Sequence, residues 1–271
     1  MTPRILVLLV ATSCAVDDVS VTTAESELGA TITVDYPGAL STLLLGNNDL
    51  GRYVGLYVDT AHVAHAMRFD GHAMVPIELG GARSRAYATN NLGDVVGSYS
   101  DATGDLHGFR LHHGTVTTID VPGGAPTEIY GINDLGRMIG VSYDEEGNSH
   151  GFSLFLGQFR DLDISDSTIP LSINDLGVVV GEDIDGTTAR GYRQARNGSV
   201  TTYDDDTYFA SINNRGHVLG AHFDGRTFLL AGGVETLIEV PGVAQTLNDR
   251  GDIVGYFADA AGTHGFIVRG H

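Results

Sequence analysis

An Asp followed within six residues by His or Arg recurs six times along this chain. The pairs are Asp59 and His65, Asp101 and His107, Asp144 and His150, Asp185 and Arg190, Asp224 and Arg226, and Asp259 and His264. A carboxylate accepts hydrogen bonds, and an imidazole or guanidinium donates them, so each pair can close on itself. Where His is lost Arg replaces it, which keeps a donor in every copy. The pattern predicts a structural latch repeated six times. The competing reading is a ring of metal ligands or proton donors. A site usually occurs once whereas a fastener is needed in every repeat, so the latch is expected.

The unrepeated polar residues are better site candidates. His62, His72, His112, His113, His217 and His222 fall outside the repeated position. Zinc would need several of them to converge at about 2 Å from one ion. Only His112 and His113 are adjacent, and neighbours along a strand point to opposite faces, so no zinc site is expected. Acidic clusters at 144–146, 182–185 and 204–206 supply ligand types that calcium takes, but no twelve-residue EF-hand loop is present. They read as solvated surface charge, and the sequence assigns no metal to them. For catalysis there is no Gly-x-Ser-x-Gly elbow, no His-Glu-x-x-His and no Gly-x-Gly-x-x-Gly opening a helix. All 15 basic residues are Arg, which excludes Schiff-base chemistry on Lys and a Walker phosphate loop. No cofactor is expected. The abundant Asp and Glu leave a paired-carboxylate hydrolase open. Trp is absent, though 11 Tyr could stack against a sugar.

A repeat must position these residues. The string Asn-(Asp/Asn)-x-Gly begins at Asn48, Asn90, Asn133, Asn174, Asn213 and Asn248. A second Gly follows seven residues after each Asn, and the latch Asp follows eleven after. Asn and Asp start turns, and Gly takes the left-handed position of a hairpin with a bulge, so the repeated Asn is read as a turn former. Each copy then holds four short strands, A to D. In the third copy these are expected at 128–132, 138–143, 151–155 and 160–164. Strand D often ends in Pro-Gly, as at Val121-Pro122-Gly123. Four antiparallel strands in about 40 residues make a propeller blade, so the expected fold is an all-β, six-bladed β-propeller over residues 31–271. The last copy lacks strand D, and residues 31–38, TITVDYPG, match one at the front. That strand can close the ring on the last blade and remove a sheet edge. A linear solenoid and a seven-bladed ring are the alternatives.

The runs Val95-Val96-Gly97-Ser98-Tyr99 and His107-Gly108-Phe109, set after Asn-(Asp/Asn)-x-Gly, resemble the HAF family of extracellular repeats across residues 31–271. The resemblance implies an exported bacterial protein and carries no settled activity. Copies four and five depart from it, with Arg190 and Arg226 in place of His and a shortened segment between Asp224 and Phe228.

The N-terminus agrees with export. Residues 1–14, MTPRILVLLVATSC, place Arg4 before a short apolar run and small residues, as in a secretory signal. The end of the run resembles a bacterial lipoprotein box, with Ala11 where that box prefers Leu. Cys14 is the only Cys, so it forms no internal disulfide, and lipidation explains its presence; an ordinary cleaved signal ending near Ala15, with a secreted product, is the alternative. Residues 15–30 read as a tether. Net charge is −19, which disfavours nucleic acid and anionic membrane, so contact with membrane is expected only through the lipid. Gly at 37 of 271 and the scarcity of charge fit a turn-rich β protein.

Two functions follow. One is a monomeric binding or scaffold module of the cell envelope, with a protein or glycan ligand. The other is an exported hydrolase or lyase with its site at the channel mouth. An enzyme should bring unrepeated His, Arg, Asp or Tyr from several blades to one mouth. A scaffold should show only the repeated set and small residues, such as Gly46, Ala88, Gly131, Ser172, Ser211 and Thr246, two before each Asn.

Overall fold

The computed structural model describes residues 29–80 and 83–270. Cys14, the 1–14 signal and nearly all of the 15–30 tether lie outside them. Among the described residues the chain is all strand, with no helix. After β1 (Thr31–Val34) come sets of four. The first is β2 (Ser41–Asn47), β3 (Tyr53–Val58), β4 (Ala64–Phe69) and β5 (Met74–Pro76). The second is β6 (Arg83–Thr89), β7 (Val95–Ser100), β8 (Leu106–His112) and β9 (Thr115–Ile119). The third is β10 (Thr127–Ile132), β11 (Met138–Tyr143), β12 (Ser149–Phe155) and β13 (Gln158–Asp161). The fourth is β14 (Ser167–Ile173), β15 (Val179–Asp185), β16 (Thr188–Gln194) and β17 (Val200–Asp205). The fifth is β18 (Thr207–Ile212), β19 (Val218–His222), β20 (Thr227–Ala231) and β21 (Val234–Ile238). The chain ends with β22 (Val243–Leu247), β23 (Ile253–Ala258) and β24 (Thr263–Val268).

Within each set the strands pair antiparallel in chain order. β1 pairs antiparallel with β24, from Thr31 opposite Val268 to Val34 opposite Gly265, and Val34 is buried. A single parallel bridge, Ser41 to Thr263, links β24 to β2.

The repeated tetrapeptide forms each A–B turn. Asn133 Oδ1 accepts the Arg137 N–H at 2.9 Å, and the Gly136 N–H donates to the Asn133 carbonyl at 3.0 Å. Gly136 has φ +78°, a conformation that a Cβ would strain. The fourth strand of the third set ends at Asp161 rather than running to residue 164. Beyond Asp161, Leu162 donates to the Gly151 carbonyl, and the Asp163 carboxylate takes the Gly151 N–H at 2.6 Å. A side-chain cap replaces the ladder there.

Apolar clusters sit between neighbouring sets. Val96 of the second packs with Ile129, Met138 and Phe152 of the third, and Val180 of the fourth with Phe209 and Phe228 of the fifth. Each set is therefore held by its neighbours, as expected where no single blade can bury its own faces.

Candidate functional site: two mouths of one channel

The first strands of all six sets, β2, β6, β10, β14, β18 and β22, line one cavity of about 100 Å³. Its floor is the repeated tetrapeptide. Each Asn sends its Nδ2 to the carbonyl of the next copy's Asn: Asn48 to Asn90 at 2.8 Å, Asn90 to Asn133 at 3.1 Å, Asn133 to Asn174 at 3.0 Å, Asn174 to Asn213 at 3.1 Å and Asn213 to Asn248 at 3.2 Å. Asn248 donates to the Asn48 carbonyl at 3.0 Å. All six Asn are buried.

The residue after each Asn makes a second circuit. Asp49, Asn91, Asp134, Asp175, Asn214 and Asp249 each offer Oδ1 to the backbone N–H of the preceding copy, at 2.6–2.9 Å. Asn91 Nδ2 donates to Asp49 and Asp134, and Asn214 Nδ2 to Asp175 and Asp249, at 2.9–3.0 Å. No such amide lies between Asp134 and Asp175. Burial raises the Asp175 carboxyl above its ordinary value; the Asp134 N–H opposes this and the Asp134 charge adds to it.

The opposite mouth differs because every first strand carries a bulge. Pairing slips between Leu44 and Gly46, Ala86 and Ala88, Ile129 and Gly131, Pro170 and Ser172, Phe209 and Ser211, and Ala244 and Thr246. The extra residues are Leu45, Tyr87, Tyr130, Leu171, Ala210 and Gln245, and all six line a second cavity of about 340 Å³. Glu182, Tyr208, Phe223 and Thr246 complete its wall. The second repeated Gly makes room for the bulge. A Cβ on Gly140 would lie 2.0 Å from the Glu128 carbonyl oxygen, and one on Gly97 1.9 Å from that of Arg85. A Gly inside a strand is a bulge signal, so the sequence held this cue.

Unrepeated polar groups converge at this mouth. Glu128 is buried, 8% exposed, and accepts four hydroxyls. Tyr87 at 2.7 Å and Ser98 at 2.8 Å donate to Oε2; Tyr143 at 2.8 Å and Tyr130 at 3.2 Å donate to Oε1. Desolvation pushes all three tyrosines up, Tyr143 to about 12, so they stay protonated donors. Arg85, exposed, reaches the Tyr87 hydroxyl at 3.5 Å. In the fourth set Glu182 is half-buried, has no hydrogen-bond partner among the described residues, and is raised by burial. Of these residues only Glu182 was singled out from sequence, within the 182–185 acidic cluster read as solvated surface charge; instead Glu182 lines the cavity and Asp183 is buried. Six bulges hid which alternate residues face the channel.

The paired Asp and His or Arg lie at the B–C turns, on the same face as the varied mouth and outside it. His65 meets Asp59 at 2.9 Å, His150 meets Asp144 at 3.2 Å, and His264 meets Asp259 at 3.2 Å. His107 lies 3.6 Å from Asp101, and Arg190 3.8 Å from Asp185. Arg226 and Asp224, at 2.7 Å, are both exposed within the shortened turn. The carboxylates first hold their own loops: the Thr103 hydroxyl holds Asp101 at about 2, and the Asn148 amide holds Asp144 at about 2. The imidazoles have a second and stronger partner that sequence reasoning missed. His107 Nδ1 contacts Asp120 at 2.9 Å, His150 Nδ1 Asp163 at 2.8 Å, and His264 Nδ1 Asp35 at 2.7 Å. These carboxylates lie just beyond the fourth strands, or just beyond β1, and each raises its His.

Of the unrepeated histidines, His112 hydrogen-bonds the buried Asp94, which Arg110 also contacts at 2.7 Å. His222 meets Glu235 at 2.9 Å. His112 and His113 stack edge-on at 4.2 Å.

No family model and no curated protein matches the chain. Solved structures do. TolB from Acinetobacter baumannii aligns with TM-score 0.54 and 13% identity, over 85% of this chain and 55% of TolB, so the chain spans about half of TolB. XC5397 from Xanthomonas campestris, a gluconolactonase, aligns with TM-score 0.57 and 9% identity over 90% of this chain and 98% of that one. The WD40 β-propeller domain of Doa1 aligns with TM-score 0.50 and 10% identity over 89% and 96%. At such identities the likeness speaks for the fold alone. The fold is of the β-propeller class.

Proposed function

We propose that the chain is a closed six-bladed propeller that binds a ligand at its varied mouth, exported and held at the cell envelope through Cys14. Closure is supported by the return of Asn248 to Asn48 and by β1 as fourth strand of the last set. Asp35 beside His264 repeats Asp120 beside His107, which strengthens the same reading. The observation that carries the function is the contrast between mouths. The six bulge positions hold Leu, Tyr, Tyr, Leu, Ala and Gln around one cavity, while the six floor positions hold only Asp or Asn. Residues that hold blades repeat; residues that read a ligand need not.

Unrepeated Tyr87, Tyr130 and Tyr208 from several sets meet at one mouth, as expected of an enzyme rather than of a scaffold. The chemistry of that mouth nevertheless favours recognition over hydrolysis. Glu128 already accepts four hydroxyls, and a two-carboxylate mechanism needs a second accessible acid beside Glu182.

The test is thermal-shift screening of the purified chain against a panel of sugars, carboxylates, neutral alcohols and amines, beside Leu171→Trp, which fills the cavity. At least one class should raise the wild-type Tm and lose that effect in Leu171→Trp. Silence across the panel, or shifts that survive the substitution, would overturn the reading. Acyl mass on membrane-extracted protein tests the anchor, and an unmodified Cys14 removes it.

A further inference from the structure

We propose that the varied mouth recognises an organic ammonium ion, alkylated at nitrogen, between two aromatic walls and the Glu182 carboxylate. The inference rests on the ligand-binding reading above and names its ligand class. One wall is Tyr87 and Tyr130, whose ring centroids lie 4.8 Å apart at 62°. The other is Tyr208 and Phe223, at 6.1 Å and 30°. The walls come from the second and third sets and from the fifth, and all four rings line the same cavity of about 340 Å³.

Three features select a cation. First, aromatic faces attract cations through the ring quadrupole, and several rings around one cavity suit alkylated ammonium, which cannot satisfy a dense hydrogen-bond shell. Second, Tyr87 and Tyr130 spend their protons on Glu128, so their hydroxyl oxygens face other groups as acceptors only. That suits a cation and offers nothing to an anion. Third, Glu182 carries a carboxylate on the cavity wall without a partner among the described residues. Burial penalises its charge, and an ammonium beside it would relieve that penalty. The nearby Arg85 does not line the cavity; it is exposed and touches the Tyr87 hydroxyl from outside. A net charge of −19 raises the local concentration of any cation.

The chain has no Trp, so tyrosine fluorescence and titration calorimetry read this site directly. Choline and its neutral carbon isostere, dimethylbutanol, are the probes. The full chain should bind choline about ten-fold more tightly than the isostere. Glu182→Gln should weaken choline several-fold, leave the isostere unchanged and keep the wild-type Tm. Tyr208→Leu should weaken choline, and Tyr208→Phe should restore it, because the ring face and not the hydroxyl carries the contact. Equal binding of choline and isostere, or loss in Tyr208→Phe equal to that in Tyr208→Leu, would overturn the ammonium assignment. If choline fails while a sugar or alcohol of the panel binds and is lost in Leu171→Trp, the ammonium assignment falls and the ligand-binding reading stands. If nothing in either panel binds, both fall.

Discussion

The two mouths of the channel are built from the same six strands and differ in almost every other respect. At the floor, position for position, each copy offers the same Asn and then Asp or Asn, and both the Asn Nδ2 and the next residue's backbone N–H donate to the next copy. At the opposite mouth, three residues back from each Asn, the bulge positions differ from copy to copy, and the Glu182 carboxylate has no hydrogen-bond partner among the described residues. A short distance along one strand thus separates residues that bind the copies to each other from residues free to bind something else. Stability and recognition occupy opposite ends of the channel, so substitutions at the two ends should have separable effects.

The largest effect should come from removing the strand that brings the last set to four. A chain starting at Leu40 lacks β1, its pairing with β24 and the burial of Val34. It also exposes the β24 edge. We expect a loss on the order of 3–5 kcal/mol, or aggregation, in urea unfolding. A truncated chain that unfolds at the wild-type midpoint would break the closed-ring reading on which both mouths depend.

Next in size is the contrast itself. Asn133→Ala leaves the buried Asn174 carbonyl and the Arg137 N–H without their side-chain partners. Two such losses together cost about 2–4 kcal/mol. Leu171→Ala, at the varied mouth, should cost under about 1 kcal/mol, because the bulge residue is only half-buried against open cavity. Comparable costs at the two positions would erase the distinction between a fastening end and a reading end.

What the sequence made legible follows the same division. Asn-(Asp/Asn)-x-Gly announced the turn because Asn and Gly are needed locally: Asn133 Oδ1 accepts from Arg137, and Gly136 sits at positive φ. The Asp and His pairs were legible for the same reason, being at most six residues apart. The Asn133 Nδ2 bond to Asn174, 41 residues away, was not, because a turn former and an inter-blade tie look identical in one dimension. Nor was His264 with Asp35, 229 residues apart. The ligand mouth was hidden by a break in period. Simple alternation mispredicts which of Leu45, Tyr87, Tyr130 and Leu171 face the channel, since each sits at a bulge. The second repeated Gly carried that information.

The Asp and His pairs at the B–C turns lie outside the varied mouth, and their titration gives a third, smaller effect. His107, His150 and His264 are raised by Asp120, Asp163 and Asp35. Raised imidazoles contribute stability that is full below the ordinary value of 6.5 and lost as pH climbs through the raised value. Asp101 and Asp144, held at about 2, contribute stability above the ordinary value of 3.8 that is lost as pH falls toward about 2. The latches are therefore strongest between those ordinary values. His150→Gln should shrink the difference in Tm between about pH 5.5 and about pH 8.5, since the residue titrating there is gone. An unchanged difference would show that His150 does not fasten the third set.

The smallest effect is the one that best separates charge from geometry at the floor. Four carboxylates meet there in a chain of net charge −19, so replacing one by its neutral isostere should help if repulsion governs. Geometry argues the reverse for Asp175→Asn. Asp175 Oδ1 accepts the Asp134 N–H, and Oδ2 accepts Asn214 Nδ2 at 2.9 Å. An amide can keep the first bond only by turning its NH₂ toward the NH₂ of Asn214, where two donors face each other. The expected outcome is a cost of about 1 kcal/mol in the urea midpoint, despite the charge removed. Adding Asn214→Asp turns that junction into donor facing acceptor again, and the new amide would bridge the carboxylates on either side of it as Asn91 bridges Asp49 and Asp134. The double variant should then cost less than the two single costs summed, by an amount a double-mutant cycle reads directly. Additive costs, or a stabilising Asp175→Asn, would mean that the floor is governed by its net charge, and the alternation of amide and carboxylate would lose its role in tying the copies together.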